Sequence, residues 1–279
     1  MPKKKNKRPS PAFFATVITL GLALLVVLGI AIVKLFQASK IYSDEAREHE
    51  YVMKYRPDIP SGVTQHTDPS STDTGSTESL SDTSETGESV TEGDGGVQRL
   101  VEMVDEYPDV VGWLYVPGTN IDYPFVQSAD NSYYIHRGIA GNYVYSGTPF
   151  LDYACARDFS DKNSVIYGHN MKNGSMFSTL GNYKDAGVFS EHKYFYIVLP
   201  DQTLTVEIFA CSVINSYSGK SSFVYQISPG ESFIDDLRAS ARRFRELDFT
   251  DSDRYVTIST CDYEFGGARV VLIGRIIED

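Results

Sequence analysis

Three residues in the C-terminal half of the chain have the types and positions needed for nucleophilic chemistry. Cys261 ends a β-rich run at 257–261, Arg269 follows eight positions later, and His169 follows the apolar run 164–167 through a single glycine. A strand end fixes the backbone while the side chain can face a groove. Because a thiolate is a strong nucleophile and histidine carries protons near neutral pH, Cys261 is a candidate nucleophile and His169 a candidate proton carrier.

Arg269 is the candidate for stabilising negative charge. If residues 262–267 form a hairpin loop, Cys261 and Ala268 are expected to face each other, with Arg269 one step further along the returning strand. A guanidinium there reaches either the thiol or the oxygen of a bound carbonyl. As a permanent cation with several donors, it suits an oxyanion-stabilising role.

The remaining cysteines and histidines carry weaker signals, and isolated Cys and His residues are more often structural than catalytic. Cys211 lies in the apolar run 208–211 and is predicted to be a small core residue, whereas Cys155 lies in a polar loop and stays a candidate exposed thiol. The other histidines are predicted to lie before or in a linker or in surface loops: His49, His66, His136 and His192. Neither metal-ligand spacing nor a glycine-rich phosphate loop is present, so no metal and no cofactor are predicted.

The charges are unevenly distributed along the 279 residues, whose net charge is -12. Residues 1–56 hold ten Lys/Arg against four Asp/Glu, and residues 57–97 hold nine acids and no base. The remainder holds 15 basic and 24 acidic residues. Because phosphate binding needs a basic face, this distribution argues against a nucleic-acid partner.

The N-terminal third predicts an anchor and a linker. Residues 11–33 carry no charge over 23 positions and follow a basic tail, which is typical of a membrane span with the N-terminus inside. The alternative, a cleaved signal peptide, is disfavoured by the length of the run. The predicted organisation follows the chain: a cytoplasmic tail (1–10), a transmembrane helix (11–34), a juxtamembrane helical segment (35–60), a disordered acidic Ser/Thr/Gly linker (61–96) and an extracellular catalytic domain (97–279).

The last 180 or so residues have the composition of a folded β domain. After a short amphipathic helix that stops before Pro108, β-type runs are predicted at 113–116, 121–125, 164–167, 194–199, 203–212, 255–261 and 269–277. We therefore predict a mainly β fold, a closed antiparallel or mixed barrel with a helix at its N-terminal edge and another helix before the last two strands.

That late helix is predicted from apolar residues at helical spacing between positions 233 and 244, with Ser232 as its N-cap. Its opposite face would carry a row of arginines: Arg238, Arg242, Arg243 and Arg245. The row is either a docking surface for an anionic polymer or an ordinary solvated helix face, and the second interpretation is favoured.

At this point the motifs resemble those of a known family. The segments 167–171 and 257–261, with Arg269 following, resemble the His, Cys and Arg signatures of sortases, and of class B sortases in particular. The resemblance extends to 111–114, 121–124 and 130–135. It implies a membrane-anchored cysteine transpeptidase with the sortase-type barrel and a long helix before the final strands.

The family resemblance also implies roles for residues. Cys261 would attack the carbonyl after the Thr of a C-terminal sorting signal, His169 would move the protons, and Arg269 would hold the substrate or the oxyanion. The expected partners are surface proteins with an Asn-Pro-x-Thr-like signal and an amine of a peptidoglycan precursor. The implied substrate contacts are Asn131, Ile135, Ser221, Tyr225 and Ser259.

Two rival functions stay open at the level of the sequence. A thiol peptidase would resolve the same thioacyl intermediate with water, and an anchored binding module would merely display a groove. The coincidence of three motif residues in family order disfavours the binding module, whereas the peptidase needs the same thiol, base and oxyanion site.

Overall fold

The computed structural model describes residues 11–59 and 94–277. Within these ranges, side chains are described for all residues except 11–18, 94–95 and 220–221. Two compact units are present, Met1–Arg47 and Glu48–Asp279. Helix α1 spans Pro11–Met53, and over Thr19–Met53 it is long and apolar enough to cross a membrane by length and composition. Most of the predicted acidic linker, residues 61–93, lies outside the described residues.

The second unit is built on a closed β-barrel. Its strands are β1 (Val110–Val116), β2 (Ile121–Val126), β3 (Phe150–Leu151), β4 (Asn163–Tyr167), β5 (Tyr194–Val198), β6 (Thr203–Asn215), β7 (Arg243–Phe244), β8 (Tyr255–Cys261) and β9 (Ala268–Ile277). The order β5-β1-β2-β3-β4-β8-β9-β6 closes because β5 also pairs with β6, and β7 pairs with the outer side of that ring on β6. Pairing is antiparallel except for β2 with β3 and β4 with β8. The predicted closed mixed barrel is thus confirmed.

A continuous apolar core fills the barrel, because alternate residues of its strands are large and hydrophobic. Fully buried members of this core come from seven strands and one connecting segment, among them Leu114, Phe125, Ile166, Tyr183, Phe195, Val206, Ile258 and Leu272. Burying a side chain of this size contributes about 1.5–3 kcal/mol. The core therefore holds the strand ends that carry the candidate residues in fixed positions.

Helix α2 (Asp94–Glu106) covers one side of the barrel and also packs against the chain before the linker. Val52 and Tyr55 are buried together with Leu100 and Met103 of α2, in a cluster that includes Trp113 of β1. Residues 48–59 thus contribute to the core of the second unit. Two short helices complete the fold, α3 (Ala186–Glu191) and α4 (Phe233–Ser240).

Helix α4 confirms the predicted helix before the last two strands, but it is shorter than predicted. The chain becomes extended at Ala241, and β7 then pairs with Ala210 and Cys211 of β6. Phe244 lies in this strand and packs against Phe209 with ring centroids 5.9 Å apart. Pairing with β6 thus packs the partly buried Phe244 against the barrel, which helical periodicity alone does not reveal.

The arginines expected on one helix face therefore do not form a row. Only Arg238 lies on α4, where it pairs with Glu246 at 2.8 Å. Arg242 pairs with Glu264 at 2.7 Å, and Arg245 donates to the Phe189 carbonyl at 2.6 Å. Ser232 is the N-cap residue of α4, as predicted, but its hydroxyl makes no capping hydrogen bond and donates instead to Asp236 Oδ2 at 2.9 Å.

The predicted hairpin between β8 and β9 is present with a register one residue away from the expected one. Cys261 pairs directly with Arg269, and Ala268 lies beyond the last pair. The Asp262 amide donates to the Ala268 carbonyl at 2.8 Å and closes the loop. The thiol and the guanidinium are therefore direct cross-strand neighbours.

Candidate active site

The end of β8 places Cys261 between a parallel and an antiparallel partner. Strand β4 pairs with β8 as far as Tyr167 and Ser259, and β9 pairs with it at Arg269. Arg269 Nη1 donates to Cys261 Sγ at 2.9 Å. Because the guanidinium is a permanent cation, this contact stabilises negative charge on the sulfur.

His169 is tied to the same strand by backbone contacts. The Gly168 amide donates to the Ser259 carbonyl at 3.1 Å, and Thr260 Oγ1 donates to the Gly168 carbonyl at 2.8 Å. Asn170 Nδ2 donates to the Cys261 carbonyl at 2.7 Å. Glycine is required at position 168, because an added Cβ would lie 2.5 Å from the Phe177 ring.

The orientation of the His169 ring follows from one hydrogen bond. Its Nε2 lies 2.8 Å from the Ile135 carbonyl oxygen, which only accepts, so Nε2 carries the proton. In the neutral ring Nδ1 is then the free nitrogen that can exchange a proton. His136 follows Ile135 in the chain. Its ring lies almost parallel to the His169 ring, with centroids 5.3 Å apart and planes inclined by 13°.

Burial is the largest influence on the titration of His169 and lowers its pKa from the usual value near 6.5. The hydrogen bond to the Ile135 carbonyl opposes that shift, whereas charge on His136 and Arg269 adds to it. The neutral imidazole is therefore favoured, as a proton acceptor near neutral pH requires.

A pocket of about 330 Å³ joins these groups. Seven of the eight residues singled out from the sequence line it: Cys261, His169, Arg269, Asn131, Ile135, Tyr225 and Ser259. Ser221 is the exception; it lies in the 3-10 helix Gly219–Tyr225, and its side chain is outside the described residues. Tyr225 and Ser259 bond to each other through their hydroxyls at 2.9 Å.

The pocket also contains residues that the sequence analysis missed: Phe150, Tyr167, Gly168 and Ser216. The Tyr167 ring lies 5.3 Å from that of Phe150 and 5.9 Å from that of Tyr225, forming an aromatic wall. Tyr167 directly precedes the Gly168-His169 pair at a strand end, which is a usable signal. Phe150 belongs to a two-residue strand that has no periodicity to detect.

Asn131 is held in this wall by two hydrogen bonds. Its Nδ2 donates to Asp152 Oδ2 at 2.8 Å, and its Oδ1 accepts from the Tyr153 amide at 2.9 Å. Tyr167 donates to the same Asp152 oxygen at 3.0 Å. One Asn131 N–H is thus left for a ligand in the pocket.

The three cysteines differ sharply in environment. Cys211 is fully buried, as predicted, and burial raises its pKa to about 12. Cys155 is also buried, with its pKa raised to about 11 mainly by burial, so the alternative of an exposed thiol is wrong. The polar loop around Cys155 folds back so that the thiol points into the core. Cys261 alone among the three is partly accessible.

Within the described part of the chain, no group of three or more His, Cys, Asp or Glu residues could hold a metal ion. The groups that line the pocket are instead a thiol, an imidazole, a guanidinium, hydroxyls, an amide and aromatic rings. This set suits acyl transfer, in which a nucleophile, a proton carrier and a stabilised oxyanion act together.

Comparison with known proteins supports the same chemistry. Sortase B of Listeria monocytogenes is 34% identical over 177 residues, covering 61% of this chain and 70% of that protein. A Streptococcus pyogenes class B sortase involved in pilus biogenesis has a TM-score of 0.59 at 34% identity, covering 64% of this chain and 97% of that chain. Sortase B of Clostridium perfringens gives a TM-score of 0.57 at 29% identity, covering 64% and 100%. No family model matches the chain.

The barrel and these similarities define a sortase-type cysteine transpeptidase. More specifically, the chain belongs to the class B sortase family.

Proposed function

We propose that this sortase is anchored in a membrane and cleaves a C-terminal sorting signal after its Thr, passing the surface protein through a thioacyl enzyme to a peptidoglycan amine. The observation that carries the proposal is the 2.9 Å contact between Arg269 Nη1 and Cys261 Sγ at the rim of the pocket that also contains His169. The contact places a cationic donor on the sulfur where a peptide can enter.

In the first half-reaction, the Cys261 sulfur attacks the backbone carbonyl carbon of the Thr residue in the sorting signal. The carbonyl oxygen becomes an oxyanion, which Arg269 stabilises with donors not engaged by the sulfur. As the C–N bond breaks, protonated His169 gives its Nδ1 proton to the departing amine. The products are a thioester on Cys261 and a free amine fragment.

In the second half-reaction, an amino group of a peptidoglycan precursor attacks the thioester carbon. Neutral His169 accepts the proton from that amine, the C–S bond breaks, and the thiolate returns to its position beside Arg269. A new amide bond replaces the thioester, so atoms and charges balance over the cycle.

The wall of the pocket supports recognition of a short extended peptide. Asn131 and the hydroxyl pair Tyr225–Ser259 offer hydrogen-bonding groups, and Ile135 and the ring of Tyr167 offer apolar surface. We therefore propose that an Asn-Pro-x-Thr-like signal binds in this pocket.

Helix α1 supports the anchoring, and the lysine-rich tail at 1–10 favours a cytoplasmic N-terminus with the second unit outside.

The test uses the full chain in detergent micelles with a panel of fluorescent pentapeptides of Asn-Pro-x-Thr and related types. The wild type is expected to cleave at least one of them after Thr, and Cys261→Ala is expected to be inactive but folded. Full activity in Cys261→Ala would end the nucleophile assignment.

An added amine separates the transferase from the thiol peptidase. Oligoglycine and diamino-acid peptides should divert the product from acid to amide, which mass spectrometry distinguishes directly. If only the hydrolysed acid forms with every such amine, the peptidase is the better description.

A further inference from the structure

We propose that His136 is a positioning residue for His169: its ring stacks on the His169 ring and fixes the plane of that ring, and a positive charge on His136 opposes a second one on His169. The inference deepens the proposed function and rests on the role given there to His169. Sequence reasoning placed His136 in a surface loop. The ring is indeed exposed, but it lies against the candidate proton carrier.

Two consecutive residues contact the His169 ring in different ways. The Ile135 carbonyl accepts from Nε2 at 2.8 Å. The His136 ring stacks on the His169 ring with a centroid distance of 5.3 Å and an angle of 13° between the planes. Both contacts come from the 3-10 helix Tyr133–His136, so one turn sets both the hydrogen bond and the stacking of His169.

His136 is itself held in place by the following loop. Its Nδ1 lies 2.7 Å from the Tyr145 carbonyl oxygen, so Nδ1 carries a proton and, in the neutral ring, Nε2 does not. The Tyr145 ring stacks on His136 with centroids 5.7 Å apart and an angle of 27°. Because the His136 ring is exposed, burial of apolar area does not explain this placement. Its fixed contacts are the Tyr145 carbonyl and the rings of Tyr143, Tyr145 and His169.

The charged and titratable groups around the pair act in one direction. His169 has two cationic neighbours, Arg269 and the protonated form of His136, and both lower its pKa in addition to the larger effect of burial. Tyr143 and Tyr145 face His136, and the Arg137 guanidinium lies 4.5 Å from the Tyr133 ring centroid. A proton on His136 therefore disfavours a second one on His169.

The charge on His136 bears on both half-reactions. Loss of the amine in the first half-reaction needs protonated His169, whereas the second half-reaction needs the neutral ring. A positive charge on His136 favours the neutral His169 ring, which preserves the acceptor step and makes the supply of the leaving-group proton limiting.

Two substitutions separate the effect of the ring from the effect of its charge. His136→Phe keeps a flat ring over His169 without a proton, and His136→Ala removes both ring and charge. His192→Phe is the matched control, because it makes the same change at a histidine that does not line the pocket.

The first readout needs no turnover. In the full chain, labelled with ¹³C-histidine and held in detergent micelles, the imidazole signals are titrated by NMR, with His169→Asn identifying the His169 signal. Both His136 variants are expected to raise the pKa of His169, and His192→Phe is expected to leave it unchanged. An unchanged His169 titration in both His136 variants overturns the electrostatic half of the inference.

The second readout is single-turnover acylation with the best peptide. His136→Ala is expected to lower the acylation rate about 10-fold with KM nearly constant, since loss of ring placement weakens proton transfer rather than binding. His136→Phe is expected to retain most of the rate at its optimum while its pH profile moves. Equal rates in wild type and His136→Ala at every pH overturn the positioning half. Failure of the wild type to cleave any peptide would contradict the proposed function instead, while the NMR titration would still test the histidine pair.

Discussion

Strand β9 carries an arginine near each end, and their surroundings differ. Arg275 donates to Glu207 at 2.9 Å and lies 3.6 Å from Asp253, and it also donates to the Asp248 carbonyl at 2.8 Å. Arg269 donates to the Cys261 sulfur at 2.9 Å and borders the pocket. Among the described residues, no carboxylate forms an ion pair with Arg269.

The difference separates a structural arginine from one that is free to act on a ligand. The charge of Arg275 is compensated by two carboxylates, so its contribution is to join β9, β6 and the loop before β8. The charge of Arg269 faces a thiol and open space, so it attracts negative charge that forms during a reaction. The same residue type on one strand thus serves stability at one end and, by our proposal, chemistry at the other.

The largest expected effect comes from replacing each arginine by methionine, which keeps the length of the side chain. Arg269→Met should lower kcat/KM for the peptide by about 100-fold or more, because an oxyanion donor is lost, with little change in melting temperature. Arg275→Met should lower the free energy of unfolding by about 1–3 kcal/mol, because two partly buried carboxylates lose their partner. Peptide cleavage and thermal denaturation of both variants provide the measurements.

The comparison fails if the two variants lose activity and stability in the same proportion. That outcome would mean that Arg269 also acts as a structural tie. Lys172→Leu serves as the control for loss of a positive charge at the surface, because Lys172 is exposed and lies outside the pocket lining.

The three cysteines extend the comparison, because Cys211 and Cys155 are buried whereas Cys261 is partly accessible beside Arg269. Cys211 pairs with Leu272 of β9, and burial raises its pKa to about 12; that of Cys155 is raised to about 11. Since only the thiolate reacts, iodoacetamide at pH 7 should modify Cys261 about 100-fold faster than either buried thiol. Mass spectrometry of the folded full chain measures the three rates. Comparable labelling of Cys155 would show that its loop opens in solution.

A smaller effect is expected when each arginine becomes lysine. Arg269→Lys keeps the charge but loses the planar fork that can contact the sulfur and an oxyanion together, so activity should fall about 10-fold. Arg275→Lys keeps an ammonium near Glu207 and should destabilise less than Arg275→Met. Kinetics and denaturation are measured as for the methionine pair. If Arg269→Lys is as inactive as Arg269→Met, the fork rather than the charge is what the site needs.

Much of the structure around the site end of β9, the end that carries Arg269, can be predicted from the sequence. The strand at 255–261 is predicted with its observed bounds, and His169 is selected because it follows a strand through one glycine. Such positions are visible because strand periodicity and turn residues are local signals. The register with Arg269 was wrong by one residue, because a six-residue loop does not determine which residues pair.

The contacts that could not be predicted all join distant parts of the chain. Strand β7 interrupts an apparently helical pattern because it pairs with β6, more than 30 positions earlier. The stacking of His136 on His169 depends on the path of the loop that follows Tyr133–His136. Likewise, Val52 and Tyr55 belong to the core although an acidic segment separates them from α2. Tertiary packing, rather than local propensity, decides each of these cases.

The smallest expected effect concerns the dependence of stability on pH at the site end. Burial lowers the pKa of His169 below its usual value near 6.5, so the folded state binds this proton more weakly than the unfolded state. Stability attributable to this group is therefore full above the unfolded pKa and declines as the pH falls through the interval down to the folded pKa. For Asp262, burial is the largest single influence and raises the pKa, but the hydrogen bonds from Lys184 and nearby amides together outweigh it and lower the pKa from 3.8. Asp262 therefore remains charged in that interval.

Denaturation of wild type, His169→Asn and Arg275→Met between pH 7 and pH 5 isolates this contribution. His169→Asn should show a shallower loss of stability than the wild type, because asparagine does not titrate and its amide can still donate to the Ile135 carbonyl. Arg275→Met should start from a lower stability but keep the wild-type slope, since its end of β9 contains no histidine among the contacts described. Equal slopes in wild type and His169→Asn would mean that the folded and unfolded states bind the His169 proton equally well, and that burial does not control the proton carrier.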